Sequence, residues 1–286
     1  MVSEIIYNEN GEVRYTYNPL TEKVININQS EGYKKKLKQD GYKDNNKGKN
    51  WVACYHEPIK RIISEKKLEL HELGALLKLI TYLQFKKDGL LLKEGQPMTI
   101  DDMAEIIGKK RRQTQDIIRK LANVGIITNI GNNRKPKYVI NKKYHSIGEI
   151  GEGMFTQLYQ VKTRTKAKDI TLHEAGLLYK LLPWFHYEEC YLCLNPNEKN
   201  PEEIYHLNQT ELSKLIGEDE RTVRTHMGNL IKKGFIMKTE SYGAVNYIVN
   251  PNIMYSQYGG SDYIEFLRKQ FNELERTSLF IDNHIQ

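Results

Sequence analysis

The sequence predicts a mainly helical α+β fold: two tandem copies of one helix-and-hairpin module, followed by a C-terminal helix. Three observations predict it. The first is an internal repeat. The run from Met98, "MTIDDMAEIIGKKRRQTQDIIRKLANVGIITNIGNNRKPKYVIN", aligns without a gap to the run from Leu207, "LNQTELSKLIGEDERTVRTHMGNLIKKGFIMKTESYGAVNYIVN". Ile107-Gly108 falls on Ile216-Gly217, Arg112 on Arg221, Leu121 on Leu230, Gly125 on Gly234, Tyr138 on Tyr247 and Asn141 on Asn250. The second is apolar spacing, which is helical through most of each copy and strand-like at its end. The third is length: 286 residues are enough for two modules of about a hundred residues each.

Taken in order, residues 1–50 precede the repeat. "IIYNENGEVRYTY" places a turn at Asn10-Gly11 between β-prone runs, which predicts a hairpin. "YKKKLKQDGYKDNNKGKN" is basic and polar. It reads either as an arm touching DNA nonspecifically or as a solvated linker. The first module then covers residues 51–150 and the second 151–260. "WVACY" at Trp51 and "FTQLY" at Phe155 read as the same short strand. "LHELGALLKLITYLQF" from Leu70 pairs with "LHEAGLLYKLLPWFHY" from Leu172, and the second copy carries an extra polar segment, "NPNEKNPEE".

The second copy shows the element signals most cleanly. Thr171 with Glu174 forms a capping box, and Leu172, Ala175, Leu178, Leu181 and Leu182 give the helix a buried face. "CYLCL" reads as a short strand. Asn208 with Glu211 opens a second helix that ends near Gly217. Asp219 caps a third helix with Val223, Met227 and Leu230 facing inward, and Gly234 ends it. "FIMKTE", "SYGA" and "VNYIVN" complete a hairpin. In residues 261–286, "SDYIEFLRKQFNELERTSLF" predicts an amphipathic helix with Tyr263, Phe266, Leu267, Phe271 and Leu274 on one side. It packs on the second module or contacts a second copy of the chain as a homodimer.

Helix, strand, helix, turn, helix, hairpin is the order of a winged helix-turn-helix. "RTVRTHMGNLIKKGFI", followed by a Tyr-containing strand and "NP", resembles winged-helix DNA-binding proteins. More narrowly, "FTQLY", "LHEAGLLYKLL" and "YIVNPNIM" with a following "GG" resemble the RepL-type plasmid replication proteins of Gram-positive bacteria. That family usually carries one module where this chain has two, and Lys142 stands where the second copy has Pro251. The resemblance implies tandem winged helices binding double-stranded DNA, with replication initiation on a plasmid or phage-like element as the role.

In such a fold the second helix of the pair enters the major groove, with its N-terminal residues near base edges. With Thr114, Ile118 and Leu121 inward, period 3.6 turns Arg112, Gln113, Gln115, Asp116 and Arg119 outward. The second copy presents Arg221, Thr222, Arg224 and Thr225. Arg suits guanine and Gln adenine, each pair discriminating by roughly 1–3 kcal/mol. Lys109, Lys110 and Arg111 add phosphate affinity at the helix start, and Arg134, Lys135 and Lys137 add it at the hairpin loop. The second copy has only Lys238 near its loop, and Glu218, Asp219 and Glu220 at its helix start. Residues 98–143 hold eleven Lys and Arg against four Asp and Glu; residues 207–252 hold six against five. The first module is therefore expected to dominate phosphate binding, and the second to read bases more weakly or bind a protein.

The remaining composition narrows the class. A net charge of +7 favours an anionic partner. No stretch is apolar enough to span a bilayer, and the N-terminus lacks the pattern of a secretion signal, so a cytoplasmic location is expected. Three cysteines do not make a disulfide scaffold. "CYLC" at Cys190 and Cys193, with His186 before it, lacks the second ligand pair that zinc needs. Asp101 and Asp102 follow Thr99 in a helix's first turn, where capping is the expected role. No phosphate-binding Gly-rich loop, hydrolase elbow or paired His-x-His nicking motif occurs, so neither catalysis nor a cofactor is expected. A transcriptional regulator at an operator is the alternative reading. A third is a DNA-tethered protein-interaction module recruiting replication or partition partners.

Overall fold

Short β-prone runs, capped amphipathic helices and glycine-punctuated turns become a mixed structure, with 45% helix and 19% strand among the described residues. The computed structural model describes residues 4–7, 13–17, 50–132, 134–148, 150–241, 244–257 and 261–284. The chain divides into a unit of residues 1–47 and a unit of residues 48–286. In the first, β1 (Glu4–Tyr7) pairs antiparallel with β2 (Val13–Tyr17). The turn at Asn10-Gly11, and the basic arm through residue 49, lie outside the described residues.

The larger unit holds both copies of the repeat. Copy one comprises β3 (Trp51–Tyr55), α1 (His56–Glu65), α2 (Leu70–Ile80), β4 (Leu92–Lys93), β5 (Gln96–Pro97), α3 (Ile100–Ile107), α4 (Arg111–Asn123), β6 (Ile127–Asn129), β7 (Tyr138–Ile140) and β8 (His145–Ser146). Copy two comprises β9 (Phe155–Tyr159), α5 (Gln160–Lys166), α6 (Leu172–Leu181), α7 (Gln209–Ile216), α8 (Glu220–Lys232), β10 (Ile236–Ser241), β11 (Ala244–Val249) and β12 (Met254–Tyr255). The helices α1 and α5 were not expected from the sequence. "CYLCL" is not a continuous strand either. Cys190 has a φ of 59°, which breaks an extended run, and Tyr191, Leu192 and Cys193 make single bridges to Ile248, Phe185 and His206.

The predicted caps form. Thr99, Thr171 and Asn208 each accept from the backbone N–H three residues on, and Asp102, Glu174 and Glu211 return the bond. Gly108 and Gly217 follow α3 and α7 at φ 73° and 67°, a left-handed geometry that disfavours any Cβ. The shared asparagines close each hairpin in the same way. Asn141 donates from Nδ2 to the Gly125 carbonyl at 3.0 Å, and Asn250 donates to Gly234 at 2.7 Å.

Equivalent strands of the two copies meet. β3 and β9 pair antiparallel, Trp51 opposite Tyr159 and Tyr55 opposite Phe155, with β8 and β12 outside them in the order β12-β9-β3-β8. Helices α2 and α6 cross beneath this sheet at two glycines. A Cβ on Gly74 would overlap the carbonyl of Leu172, and one on Gly176 would overlap the carbonyl of Leu70. One continuous apolar core, from Val52 to Met254, draws on both copies.

The C-terminal helix α9 (Asp262–His284) packs on copy two. Ile264, Leu267 and Phe271 are buried with Tyr159, Cys190, Ile248 and Tyr255. Each such side chain removed from water contributes about 1.5–3 kcal/mol. Glu275 pairs with Lys162 at 2.8 Å and Lys166 at 2.7 Å. The buried face thus differs from the expected one: Phe266 and Leu274 are 55% and 45% exposed, because residues 264, 267 and 271 set the seam. The seam of Ile264, Leu267 and Phe271 thus has its partner within the chain. Among the described residues, no helix is long and apolar enough to cross a membrane.

Candidate nucleic-acid interface

In each copy a two-helix pair is built from the same parts. An eight-residue helix ends at the left-handed glycine, two residues follow, and a thirteen-residue helix begins. Inward residues of that second helix seat it: Thr114, Ile117, Ile118 and Leu121 in α4, and Val223, Met227 and Leu230 in α8, all buried. The opposite face is open. Arg112, Gln113, Gln115 and Arg119 are exposed in copy one, with Asp116 half-buried; Arg221, Arg224 and Thr225 are exposed in copy two, with Thr222 half-buried.

Ion pairing then separates candidates that look alike in sequence. Arg111 pairs with Asp101 across the turn, and Arg119 pairs with Asp116 at 2.6 Å. In copy two, Arg224 pairs with Glu220 at 3.1 Å and Lys238 with Glu240 at 2.6 Å. The side chains of Lys109, Lys110, Arg112, Arg134, Lys135, Lys137 and Arg221 have no ionic partner among the described residues. Six of these seven belong to copy one. A cation without a carboxylate neighbour keeps its full field for a polyanion, whereas an exposed pair is partly neutralised and screened. The hairpin loop that carries Arg134, Lys135 and Lys137 is shaped by two asparagines. Asn129 Oδ1 accepts from the N–H groups of Gly131 and Lys137, and Asn132 Oδ1 from those of Arg134 and Lys135.

The acidic start of α8 is engaged by the protein itself. Glu218 accepts a bond of 2.5 Å from Lys180 Nζ, a buried ammonium that also donates to the Ile216 carbonyl. Asp219 caps α8 by accepting from Thr222 N–H at 2.8 Å; the Thr222 hydroxyl first, and this N–H second, hold its carboxyl below the usual range. Glu220 holds Arg224. In copy one the equivalent of Lys180 is Lys78, which donates to the Ile170 carbonyl at 3.1 Å instead. Position 109 is therefore released from neutralising a buried lysine and can carry a cation.

A layer behind this surface was missed in the sequence. Glu72 and Glu174 are buried on α2 and α6 and tie those helices to α4 and α8. Glu72 pairs with Lys120 at 2.5 Å; Glu174 accepts from Asn229 at 2.7 Å and pairs with Lys233 at 2.9 Å. The signal was present as the shared "LHE" followed one residue later by Gly. Residues Glu69, His71 and Glu72 place ligand atoms within 4.8 Å of one another. Yet Glu72 Oε2 already accepts from Glu69 N–H and Oε1 from Lys120, so both oxygens have protein partners. At the cysteine pair, burial pushes both thiols up, Cys193 to about 12, away from the thiolate a metal needs. His186 is occupied as well: Nε2 donates to Glu198 O, and Nδ1 accepts from Glu188 and Glu189 N–H.

Comparison with protein-family models, with curated proteins and with solved structures finds no match for this chain.

Proposed function

We propose that the chain is a sequence-specific double-stranded DNA-binding protein with two tandem winged helices, and that it acts as a replication initiator on a plasmid or phage-like element. The observation carrying the DNA reading is the placement of Arg112 and Arg221. Both lie exposed in the first turn of the second helix of a pair, and neither guanidinium has a protein partner among the described residues. Such a position brings a bidentate donor to base edges when the helix enters a major groove. The unpaired lysines and arginine around α4 supply the salt-dependent phosphate term. The replication role rests on the resemblance to RepL-type proteins. Operator binding by a transcriptional regulator uses the same surface and is separated genetically.

Binding is tested by fluorescence anisotropy against duplex DNA across a salt series. Arg112→Ala should relax sequence preference. Lys135→Ala should weaken binding to all sequences and flatten the salt slope by about one unit. If neither variant changes DNA affinity, the surface is misassigned. For the role, deleting the gene from a minimal plasmid should abolish its maintenance. Unchanged copy number with altered transcription would favour the regulator instead.

A further inference from the structure

The way the copies meet carries more than their separate surfaces. Residues 53 and 157 are equivalent positions in the repeat, and they lie opposite one another in the β3–β9 ladder. The flanking strands obey the same exchange. Ala53 faces Ser146 and Cys54 faces His145, while Gln157 faces Tyr255 and Leu158 faces Met254. The helix crossing is reciprocal too: Gly74 meets Leu172, and the equivalent Gly176 meets Leu70. Cation–aromatic contacts repeat the exchange, with Lys60 of α1 over Trp184 and Arg164 of α5 over Tyr82. A contact in which residue i meets j′ and j meets i′ is the mark of a two-fold axis. Within one chain it is a pseudo-two-fold, passing between β3 and β9 and through the α2–α6 crossing.

The second helix of each pair hangs from this axis. Glu72 and Glu174, which hold α4 and α8, each lie two residues before a crossing glycine. His226 of α8 stacks on His173 of α6 at 5.8 Å, and His173 lies 5.9 Å from His71 of α2. The two helices therefore flank the axis on a shared core. A two-fold protein on duplex DNA aligns its axis with a local dyad of the duplex and reads two half-sites in opposite orientation.

On that basis, and resting on the DNA-binding reading above, we infer that one chain reads an inverted repeat. Copy one takes one half-site and copy two the other, with copy one's half-site bound more strongly. Tandem modules on a flexible linker leave the orientation of their half-sites open; this axis does not.

The test uses the full chain and a pool of duplexes with a randomised core of about 30 base pairs, long enough for two half-sites a helical turn apart. Selection should enrich an imperfect inverted repeat. Mass measurement of the complex should give one chain per duplex. Arg112→Ala should erase sequence information in one half and Arg221→Ala in the other, at positions related by inversion, each lowering affinity for the selected duplex roughly 5- to 150-fold. Enrichment of a direct repeat, of a lone half-site, or of an inverted repeat holding two chains would overturn the inference while leaving DNA binding in place. Sequence-blind binding would overturn it as well. No binding to any duplex would overturn the DNA reading on which it rests.

Discussion

Copy one and copy two share a frame and differ in what they do with charge. In copy one, the start of α4 lacks a side-chain cap, and Lys109 and Lys110 stand free of carboxylates. In copy two the same two positions hold Glu218 and Asp219, one neutralising buried Lys180 and the other capping α8. Anions at a helix start favour the dipole by about 0.3–1 kcal/mol each, so copy one gives up that much local stability per position. The difference teaches that the acidic residues of copy two already have partners within the chain: Lys180, the start of α8 and Arg224. It also shows that, with a cation at position 109, the lysine of α2 takes another partner, which Lys78 finds in the Ile170 carbonyl.

The strongest way to break the comparison is at the axis, where the copies should be equal. Gly74→Ala and Gly176→Ala each drive a methyl into backbone, and overpacking of this kind costs about 3 kcal/mol or more. Both variants should lose stability by similar amounts in chemical denaturation. A tolerated substitution at one glycine and not the other would show that the crossing is not reciprocal.

Next comes the face proposed for DNA. Arg112→Ala and Arg221→Ala should each cost roughly 1–3 kcal/mol on a preferred sequence. The triple change Lys109→Ala, Lys110→Ala and Lys135→Ala should flatten the salt slope by about 0.9 per lysine. A triple variant with an unchanged slope would dissociate the free cations from phosphate binding.

Acid sensitivity should also be lopsided. His56 and His145 are buried in copy one, and burial lowers both to about 3, aided at His56 by the Lys60 charge. The equivalent residues are Gln160 and Met254, which do not titrate. A depressed histidine is neutral in the folded protein while the unfolded chain takes up a proton near pH 6.5. Stability is therefore intact above pH 6.5 and is lost as pH falls from there toward 3, by up to about 1.4 kcal/mol per pH unit for each histidine. His56→Gln, the residue of copy two, should flatten the acid limb of a stability–pH profile. A profile that keeps its slope would assign the acid limb elsewhere.

The smallest effect is expected at Lys238. It is exposed and paired with Glu240, so Lys238→Ala should change DNA affinity by less than about 0.5 kcal/mol. A loss as large as that of Lys135→Ala would place the second hairpin on DNA as firmly as the first.

Much of this was legible before any coordinates. The capping boxes at Thr99, Thr171 and Asn208, the glycine turns at 108 and 217, and the inward triads of α4 and α8 follow from side chains acting within a few residues, where spacing alone sets the outcome. Helix α1 was hidden because "HEPIKRIISE" carries Pro58, which reads as a breaker although a helix's first turn accommodates it. The seam of α9 was misread because Phe266 and Leu274 are as apolar as Ile264, and only the surface of copy two selects among them.

By itself, then, the sequence determined the repeat, the helix pair and hairpin of each copy, the caps and the excess charge of copy one, since each depends on local spacing or simple counting. The tertiary structure alone decided that β3 meets β9, that α2 crosses α6 at two glycines, and which cations remain free of carboxylates. Those outcomes depend on groups brought together from about a hundred residues apart, such as Lys78 with Ile170, and no local pattern encodes which distant partner a charged side chain finds.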